Sequence, residues 1–193
     1  MYFGIEGIDT AGKSTQLELL KREYPDALFI KEPGFTSIGG KIRQLLLEEE
    51  PTPLCELFLF LADRAETIGR EVAPSLQRGR AVFSDRTLIS GIAYGKGLLP
   101  REELIHLNRI ATGNIFPDGI ILLKLDRETL RQRLEGKSRD RIEERGIEYL
   151  LNVQREMEEV TRELGIPLYP IDGTQPVPKV YREIKRVIDG FLG

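Results

Sequence analysis

Cysteine and histidine are nearly absent from this chain of 193 residues, which has one of each and no tryptophan. A single cysteine, Cys55, cannot form an internal disulfide, and we expect it to be buried as a small apolar residue. One histidine and one cysteine also cannot build the ligand cluster that a zinc site requires. The composition excludes a disulfide-stapled secreted domain and indicates a reducing, cytoplasmic location.

Long apolar runs and a strong excess of one charge are also missing. No run approaches the roughly 20 apolar residues that span a bilayer, and Met1 leads into the first predicted strand without a signal-peptide pattern. The formal net charge is -3 at pH 7, and no basic run stands without acidic neighbours. We therefore expect neither a membrane nor a nucleic acid as a partner.

The apolar runs that are present are short and alternate with longer segments of helical periodicity. Such alternation is typical of a parallel sheet covered by helices on both faces, so the sequence predicts an α/β fold. Without an internal repeat or a linker, residues 1–193 are expected to form a single domain. The predicted strands are residues 2–6, 27–31, 81–84, 119–125 and 166–171.

Two stretches between predicted strands are longer than a crossover requires. Residues 32–80 have room for at least two helices, and residues 126–165 include the charged string KSRDRIEER. Surplus segments of this kind tend to cover substrates. We therefore expect a lid at approximately residues 136–146.

A glycine-rich loop follows the first predicted strand and precedes a helical pattern. Residues 7–15 are GIDTAGKST, and the spacing of Gly7, Gly12, Lys13 and Ser14 is that of a phosphate-binding loop. The glycines allow backbone N–H groups to converge on phosphate oxygens. Lys13 adds a cation for the outer phosphates, and Ser14 offers a hydroxyl to Mg²⁺. The sequence therefore predicts a site for a nucleotide with Mg²⁺.

Polar residues follow two other predicted strands, at the edge where parallel sheets bind ligands. Asp85 and Arg86 follow the third strand. An acid there can hold Mg²⁺, and an arginine can bind a second phosphate with two hydrogen bonds, although a surface ion pair is the alternative interpretation. The turn EPGFT follows the second strand and is expected to bring Glu32 and Phe35 to the same rim.

Phe60 and Arg64, in FLFLADRAE, are four residues apart and therefore share one face of a predicted helix. An aromatic ring beside a guanidinium can stack on a planar base and donate hydrogen bonds to its edge. From the spacing alone, a core phenylalanine beside an unrelated surface arginine is the more ordinary interpretation.

Five motifs, GIDTAGKST, EPGFT, LFLADRAE, DRTLISGIAY and DRIEER, together resemble those of the thymidylate kinase family, in order and over nearly the whole chain. The resemblance implies the fold of a P-loop nucleoside monophosphate kinase, with a five-stranded parallel sheet and a lid segment. It also implies a homodimer that transfers a phosphoryl group from ATP with Mg²⁺ to dTMP, giving dTDP and ADP. In this family pattern, Phe60 stacks on thymine and Arg64 reads the edge of the base.

The same resemblance implies roles for residues on the dTMP side. Asp9 resembles the acid that takes the 3′-hydroxyl of dTMP, and Arg86 resembles the arginine on its phosphate. Ser90 and Tyr94 correspond to residues beside the sugar, where the ring of Tyr94 would crowd a 2′-hydroxyl. The implied dTMP-binding residues are Asp9, Glu32, Pro33, Arg43, Phe60, Arg64, Arg86, Ser90 and Tyr94.

On the ATP side, the resemblance implies that Arg133 is a platform for adenine and that residues 171–175 pass the adenine edge. The implied ATP-binding residues are Gly7, Ile8, Asp9, Thr10, Ala11, Gly12, Lys13, Ser14, Thr15 and Arg133. The implied metal ligands are Ser14 and Asp85. The implied catalytic residues are Lys13, Asp85, Arg86, Arg139 and Arg141.

Two positions depart from the family pattern. Gly95 stands where the bacterial pattern has glutamine, so no role is assigned to it. Thr10 stands where some members have an arginine inside the phosphate loop. We therefore expect Arg139 or Arg141 to supply the catalytic arginine.

Two other functions remain open at this stage. A kinase for a different acceptor, such as a deoxynucleoside or another nucleoside monophosphate, would share most of these features. A GTP-dependent switch would normally read guanine with an Asn-Lys-x-Asp element, and the nearest string here is LKLD at 123–126. Leu123 cannot replace the asparagine side chain of such an element.

Overall fold

The computed structural model of the protein describes residues 1–135 and 146–192. Within these residues, five parallel strands form one sheet in the order β2-β3-β1-β4-β5. The strands are β1 (Tyr2–Glu6), β2 (Leu28–Lys31), β3 (Val82–Asp85), β4 (Gly119–Lys124) and β5 (Leu168–Asp172). All five predicted strands are confirmed, and their ends differ from the predicted ones by at most two residues.

Helices connect and cover these strands, and a π-helical turn at Ile68–Val72 lies between α3 and α4. The stretch from 32 to 80 contains more than one helix, as predicted. In the described part of the chain, no helix is both long enough and apolar enough to cross a membrane. The helices are α1 (Lys13–Glu23), α2 (Ser37–Glu48), α3 (Pro53–Thr67), α4 (Ala73–Gln77), α5 (Leu88–Tyr94), α6 (Arg101–Thr112), α7 (Arg127–Leu134), α8 (Ile147–Glu163) and α9 (Val177–Leu192).

The burial of the central strands shows that helices cover both faces of the sheet. Successive residues of a strand point to opposite faces, yet every residue of β1 and of β3 is buried. The apolar side chains on both faces therefore drive the packing of helices onto the sheet. β5 is different, because it pairs only with β4 at the edge. An edge strand tolerates Pro170, which lacks the N–H that a second neighbour would need.

The carboxyl ends of three strands lie side by side and position the site. Ile5 of β1 and Lys31 of β2 are both register partners of Asp85, the last residue of β3. The loops that leave these strands therefore meet at one edge of the sheet, which is where open α/β sheets bind ligands.

The prediction that Cys55 is buried is wrong. Cys55 is exposed near the beginning of α3, where Leu57 and Leu61 face the interior. Residues two positions apart in an α-helix are rotated by about 200° relative to each other, so Cys55 lies on the side opposite to Leu57. Leu54 and Phe58 are also exposed, which leaves apolar side chains on the outer surface of α3.

Candidate active site

A cleft of about 1360 Å³ opens at the edge where β1, β2 and β3 end. Most of the site residues predicted from the sequence line this cleft. They are Asp9, Thr10, Gly12, Lys13, Ser14, Thr15, Glu32, Pro33, Arg43, Phe60, Arg64, Asp85, Arg86, Ser90, Tyr94 and Arg133.

Several predicted residues lie elsewhere. Ile8 and Ala11 belong to the phosphate-binding loop but are buried, and Gly7 packs so closely that an added Cβ would lie 2.9 Å from the carbonyl oxygen of Leu123. Phe35 is 38% exposed and does not line the cleft, so the expectation that it shares a rim with Glu32 is wrong. The bend continues through Phe35 to Thr36, just before α2 begins at Ser37, and the side chain of Phe35 is exposed.

Residues 136–145 of the expected lid, which include Arg139 and Arg141, lie outside the described residues. The structure therefore leaves the role of these two side chains as a prediction.

Lys13 lies back across the phosphate-binding loop. Its Nζ donates hydrogen bonds to the carbonyl oxygens of Gly7, at 2.9 Å, and Ile8, at 3.2 Å. The loop makes this possible because Gly12 has a left-handed backbone with φ of 97°. The result is a cation held at the mouth of the loop.

Burial changes the charge state that Lys13 can hold. The surroundings lower the pKa of the ammonium group to about 8; desolvation by burial is the largest cause, and the positive charge of Arg86 acts in the same direction. The carboxylates of Asp85 and Asp9 oppose this shift. Lys13 is therefore a cation whose charge is poorly solvated and which a phosphate would stabilise.

Ser14 and Asp85 offer oxygen donors next to the same loop. The Ser14 hydroxyl donates to Oδ2 of Asp85 across 3.5 Å. Hydroxyl and carboxylate oxygens are ligands that Mg²⁺ accepts, and Mg²⁺ normally takes its other ligands from water and phosphates. Among the described residues there is no group of three or more His, Cys, Asp or Glu side chains that could hold a metal ion by itself. The donor set therefore fits Mg²⁺ bound together with a nucleotide rather than by the protein alone.

Arg86 is held by a network of its own at the end of β3. Its guanidinium donates from Nη2 to Oδ1 of Asp9, at 2.5 Å, and from Nη1 to Oγ of Ser90, at 3.1 Å. The guanidinium carbon also lies 5.4 Å from the ring centroid of Tyr94. Arg86 pairs with Asp9 inside the cleft and not with Asp85, so the surface ion pair considered above is not formed.

The backbone of Arg86 is strained. Its φ of 72° is in the left-handed region, which costs a non-glycine residue on the order of 1–3 kcal/mol. Such strain persists where the surroundings hold it, and here Asp9 and Ser90 hold the side chain. The strained backbone directs the guanidinium into the cleft.

Glu6 was not identified from the sequence, yet it organises this part of the site. Its carboxylate is fully buried and accepts hydrogen bonds from the backbone N–H groups and hydroxyls of Thr87 and Ser90. The four donor distances lie between 2.5 and 3.3 Å. A carboxylate at the end of an apolar strand could have indicated this role from the sequence, because a buried charge needs hydrogen-bond partners. Glu6 thereby fixes the beginning of α5 and the serine that contacts Arg86.

Arg64 is the centre of a second buried network. Its Nε donates to Oε2 of Glu32 at 2.8 Å, and its side chain and that of Glu32 are each 4% exposed. Burial raises the pKa of Glu32, and the charge of Arg64 opposes that change. The alternative interpretation of Arg64 as an unrelated surface arginine is wrong. Phe60, one turn earlier on α3, lines the cleft with it.

The turn after β2 is tied to α2 and α3. Arg43 donates to the carbonyl oxygen of Pro33 at 3.2 Å, and the N–H of Gly34 donates to Oδ1 of Asp63 at 2.9 Å. Asp63 was also missed from the sequence, since its partner lies 29 residues away. These contacts hold Glu32 and Pro33 against the helix that carries Arg64.

Arg133 joins two loops at the other end of the cleft. Its guanidinium donates to the carbonyl oxygens of Thr10, at 2.9 Å, and Gly173, at 2.8 Å. The family resemblance implied that residues 133 and 171–175 lie near adenine, and the structure brings Arg133 and Gly173 together beside the phosphate-binding loop.

Comparison with known proteins connects this geometry to one family. Residues 5–184 match the family model for thymidylate kinase. The chain is 49% identical to thymidylate kinase from Nautilia profundicola over 193 residues, which are 100% of this chain and 98% of that protein. It is 46% identical to thymidylate kinase from Aliarcobacter butzleri, with the same coverage of both chains.

Comparison with a solved structure points to the same family as these relatives. The crystal structure of thymidylate kinase from Ehrlichia chaffeensis has a TM-score of 0.75 and 25% sequence identity to this chain. The similarity covers 97% of this chain and 98% of that one. The chain therefore belongs to the thymidylate kinase family.

Proposed function

We propose that this chain carries out the reaction of its family in the cleft described above, with both nucleotides bound there at once. ATP-dependent phosphorylation of dTMP gives dTDP and ADP. The observation that carries this proposal is that the phosphate-binding loop, Phe60 and the buried Arg64 all face the same cleft. Phosphoryl transfer needs little covalent chemistry from the protein, so positioning and charge stabilisation are its main contributions.

On the ATP side, the loop N–H groups and Lys13 bind the outer phosphates. Burial leaves the ammonium group of Lys13 poorly hydrated. Phosphate binding is therefore favoured, because the phosphate stabilises the charge that water does not. Ser14 and Asp85 would hold Mg²⁺, which supplies charge neutralisation on the phosphates when it is bound. Arg133 provides a flat guanidinium for adenine, and its two carbonyl contacts keep that plane fixed.

On the dTMP side, Arg86 binds the phosphate, with Arg43 as a helper. Asp9 and Ser90 orient the guanidinium before substrate arrives, so less side-chain entropy is lost on binding. Tyr94 lies beside the sugar, where its ring limits the space available to a 2′-hydroxyl. Its own hydroxyl is buried and has no hydrogen-bond partner among the described residues, so substrate or water can supply one.

The base lies against Phe60 and is read by Arg64. Thymine presents an oxygen acceptor at its 4-position, which a guanidinium N–H satisfies. Cytosine presents an amino donor there, which would leave one N–H of the buried guanidinium without an acceptor. The site should therefore reject dCMP strongly.

Arg139 and Arg141 complete the proposed catalytic set. Thr10 is neutral and short, so the phosphate loop itself carries no arginine for the transferring group. An arginine at this step typically contributes on the order of 10³-fold or more to kcat. An Arg139→Ala, Arg141→Ala double variant with normal kcat would remove these residues from the set.

A coupled ADP-release assay with separate acceptors tests the choice of substrate. The acceptors are dTMP, dUMP, dCMP, AMP and thymidine, each with ATP and Mg²⁺. We expect dTMP to give the highest kcat/KM and dCMP to be a very poor acceptor. Equal turnover of dTMP and dCMP would contradict the base-reading role of Arg64, and preference for thymidine would indicate a nucleoside kinase.

A second copy of this chain is the partner that we propose for the apolar surface of α2, α3 and α6. α2 packs against α3, and α3 packs against α6. Exposed apolar side chains on neighbouring helices are typical of interfaces. They are Ile38, Leu45, Leu54, Phe58 and Ile110.

The cytoplasm is the proposed location of this reaction. ATP supplies the phosphoryl group there, and a single cysteine suits a reducing compartment. Detection of the protein and its activity in the cytoplasmic fraction of its source cells would support this location.

A further inference from the structure

The guanidinium of Arg64 is held by three partners in addition to its contact with the base proposed above. Nε donates to Glu32, Nη1 donates to Oδ1 of Asn108 at 2.5 Å, and Nη2 donates to the carbonyl oxygen of Thr87 at 3.0 Å. Nη2 also lies 2.8 Å from Oε2 of Glu32. The plane of the guanidinium is thus fixed from several sides.

These contacts decide which N–H of Arg64 remains for a ligand. A guanidinium has five N–H groups, one on Nε and two on each terminal nitrogen. Glu32 accepts from the N–H of Nε and lies against one N–H of Nη2. Thr87 accepts from the other N–H of Nη2, and Asn108 accepts from one N–H of Nη1. Within the described residues, the remaining donor is the second N–H of Nη1.

Gly91 lies directly against this nitrogen. A Cβ added at Gly91 would lie 2.5 Å from Nη1, 3.1 Å from Nη2 and 3.2 Å from Cζ of Arg64. Gly91 is in the middle of α5 and lacks a positive φ, so backbone conformation does not require glycine here. Close approach of the guanidinium is the physical reason for glycine, and Gly91 itself lines the cleft.

Asn108 holds the same nitrogen from α6. Its side chain is fully buried, and its Nδ2 donates to the carbonyl oxygen of Leu104 at 2.7 Å. That second bond fixes the amide orientation, so Oδ1 is presented to Arg64 and not Nδ2. Asn108 and Gly91 therefore act on the one terminal nitrogen that has a donor left.

We propose that Gly91 and Asn108 are positioning residues that set the direction of this last Arg64 donor and thereby the discrimination between 4-oxo and 4-amino pyrimidine nucleotides. This inference rests on the proposed base-reading role of Arg64. It adds two residues from two other helices, neither of which needs to contact the base. A donor that is held in one direction is left unpaired by a ligand without an acceptor there, so that ligand binds poorly. A donor that is free to turn can find another partner, so the site discriminates less.

The test measures kcat and KM with dTMP and with dCMP for Gly91→Ala and Asn108→Leu. Gly91→Ala places a methyl group 2.5 Å from the present position of Nη1, too close for both to stay, and Asn108→Leu removes the acceptor with little change in side-chain size. We expect the ratio of kcat/KM for dTMP to that for dCMP to fall at least about tenfold in each variant. The loss should come from a higher KM for dTMP, while kcat at saturation and the KM for ATP change less than about threefold.

Gly40→Ala is the matched control for the glycine substitution. Gly40 is also helical, and an added Cβ there would meet nothing within 4 Å. This variant should keep the wild-type ratio. A purely structural role for Gly91 or Asn108 would lower thermal stability without changing the ratio, and that result would overturn the inference.

Arg64→Ala separates this inference from the function on which it rests. An unchanged ratio in Arg64→Ala would refute base reading by Arg64 and, with it, the positioning roles. A ratio that collapses in Arg64→Ala but persists in both Gly91→Ala and Asn108→Leu would overturn the positioning roles alone. If Gly91→Ala does not fold, Asn108→Leu decides, because leucine is a good helix former of similar volume.

Discussion

Lys13 carries a charge that should titrate within an accessible pH range. Its pKa in the free protein is lowered to about 8, so the ammonium form dominates below that pH and the neutral amine above it. Phosphate binding favours the charged form and raises the pKa in the complex. The KM for ATP should therefore be nearly constant below about pH 8 and rise by up to about tenfold per pH unit above it.

Measurement of the KM for ATP from about pH 7 to about pH 9.5 checks this prediction. Lys13→Arg keeps a cation throughout that range, so its KM should vary much less with pH. Lys13→Ala should lower turnover at least about 100-fold, as for other preorganised charge contacts. A wild-type KM that is independent of pH up to the top of the range would contradict the lowered pKa.

Asp85→Asn should change the requirement for Mg²⁺. Replacing the carboxylate with a neutral amide weakens an oxygen donor beside Ser14, so a higher Mg²⁺ concentration should be needed for half-maximal activity. The measurement is a Mg²⁺ titration of activity at fixed total ATP. Asp26→Asn is the control, because Asp26 is exposed and lies away from the cleft. Superimposable titrations of Asp85→Asn and wild type would exclude Asp85 from the metal site.

At the scale of single residues, the sequence identified the groups whose chemistry appears in a short motif. The phosphate-binding loop and the Phe60 and Arg64 pair are local patterns, and the structure brings Phe60, Arg64 and most of the loop residues to one cleft. Asn108 and Gly91 could not be found in this way, because their partner is an arginine on another helix. Asn108 does occupy a position of α6 four residues after buried Leu104, so a polar residue in an apolar stripe was a weak signal.

Among the elements, α5 depends most on a single buried charge. Glu6 accepts four hydrogen bonds at the beginning of this seven-residue helix. Glu6→Gln turns one acceptor oxygen into an NH₂ group that faces donors. We expect a loss of about 2 kcal/mol in the free energy of unfolding, which corresponds to a fall of roughly 4–8 °C in Tm.

Thermal unfolding followed by circular dichroism measures this change. The control is Glu18→Gln, since Glu18 is an exposed residue of α1 whose ion pair within the described residues is with Lys21. The KM for dTMP should also rise in Glu6→Gln, because Ser90 would hold Arg86 less firmly. An unchanged Tm would show that the buried carboxylate is not needed to fix α5.

The elements themselves were largely predictable, and their mutual contacts were not. Short apolar runs separated by helical patterns suffice to predict a parallel sheet, and β1 to β5 follow that prediction. The tertiary network behind the site depends on residues such as Glu6 and Thr87, which are 81 positions apart. Periodicity carries no information about such pairs. Phe35 was also misplaced, because a turn motif does not tell which of its side chains face the cleft and which face solvent.

For the whole molecule, Phe58 offers a test of the proposed homodimer. Its side chain is 50% exposed on α3 beside other exposed apolar residues. Phe58→Glu would bury a charge in an apolar interface, so the variant should dissociate to monomers at micromolar concentration. Val177→Glu, at the beginning of α9 and 46% exposed, should leave the oligomeric state unchanged. Sedimentation velocity distinguishes these outcomes, and a monomeric wild type would contradict the proposal.

The central claim is that one cleft binds ATP and dTMP together and transfers the γ-phosphoryl group directly between them. The most direct test incubates the protein with dTMP, Mg²⁺ and ATP labelled at the γ-phosphorus, and separates the products by chromatography. The account predicts that the label appears in dTDP in the same amount as ADP forms, and that omission of dTMP nearly stops ADP formation. Release of the label as inorganic phosphate, with no labelled dTDP, would contradict it.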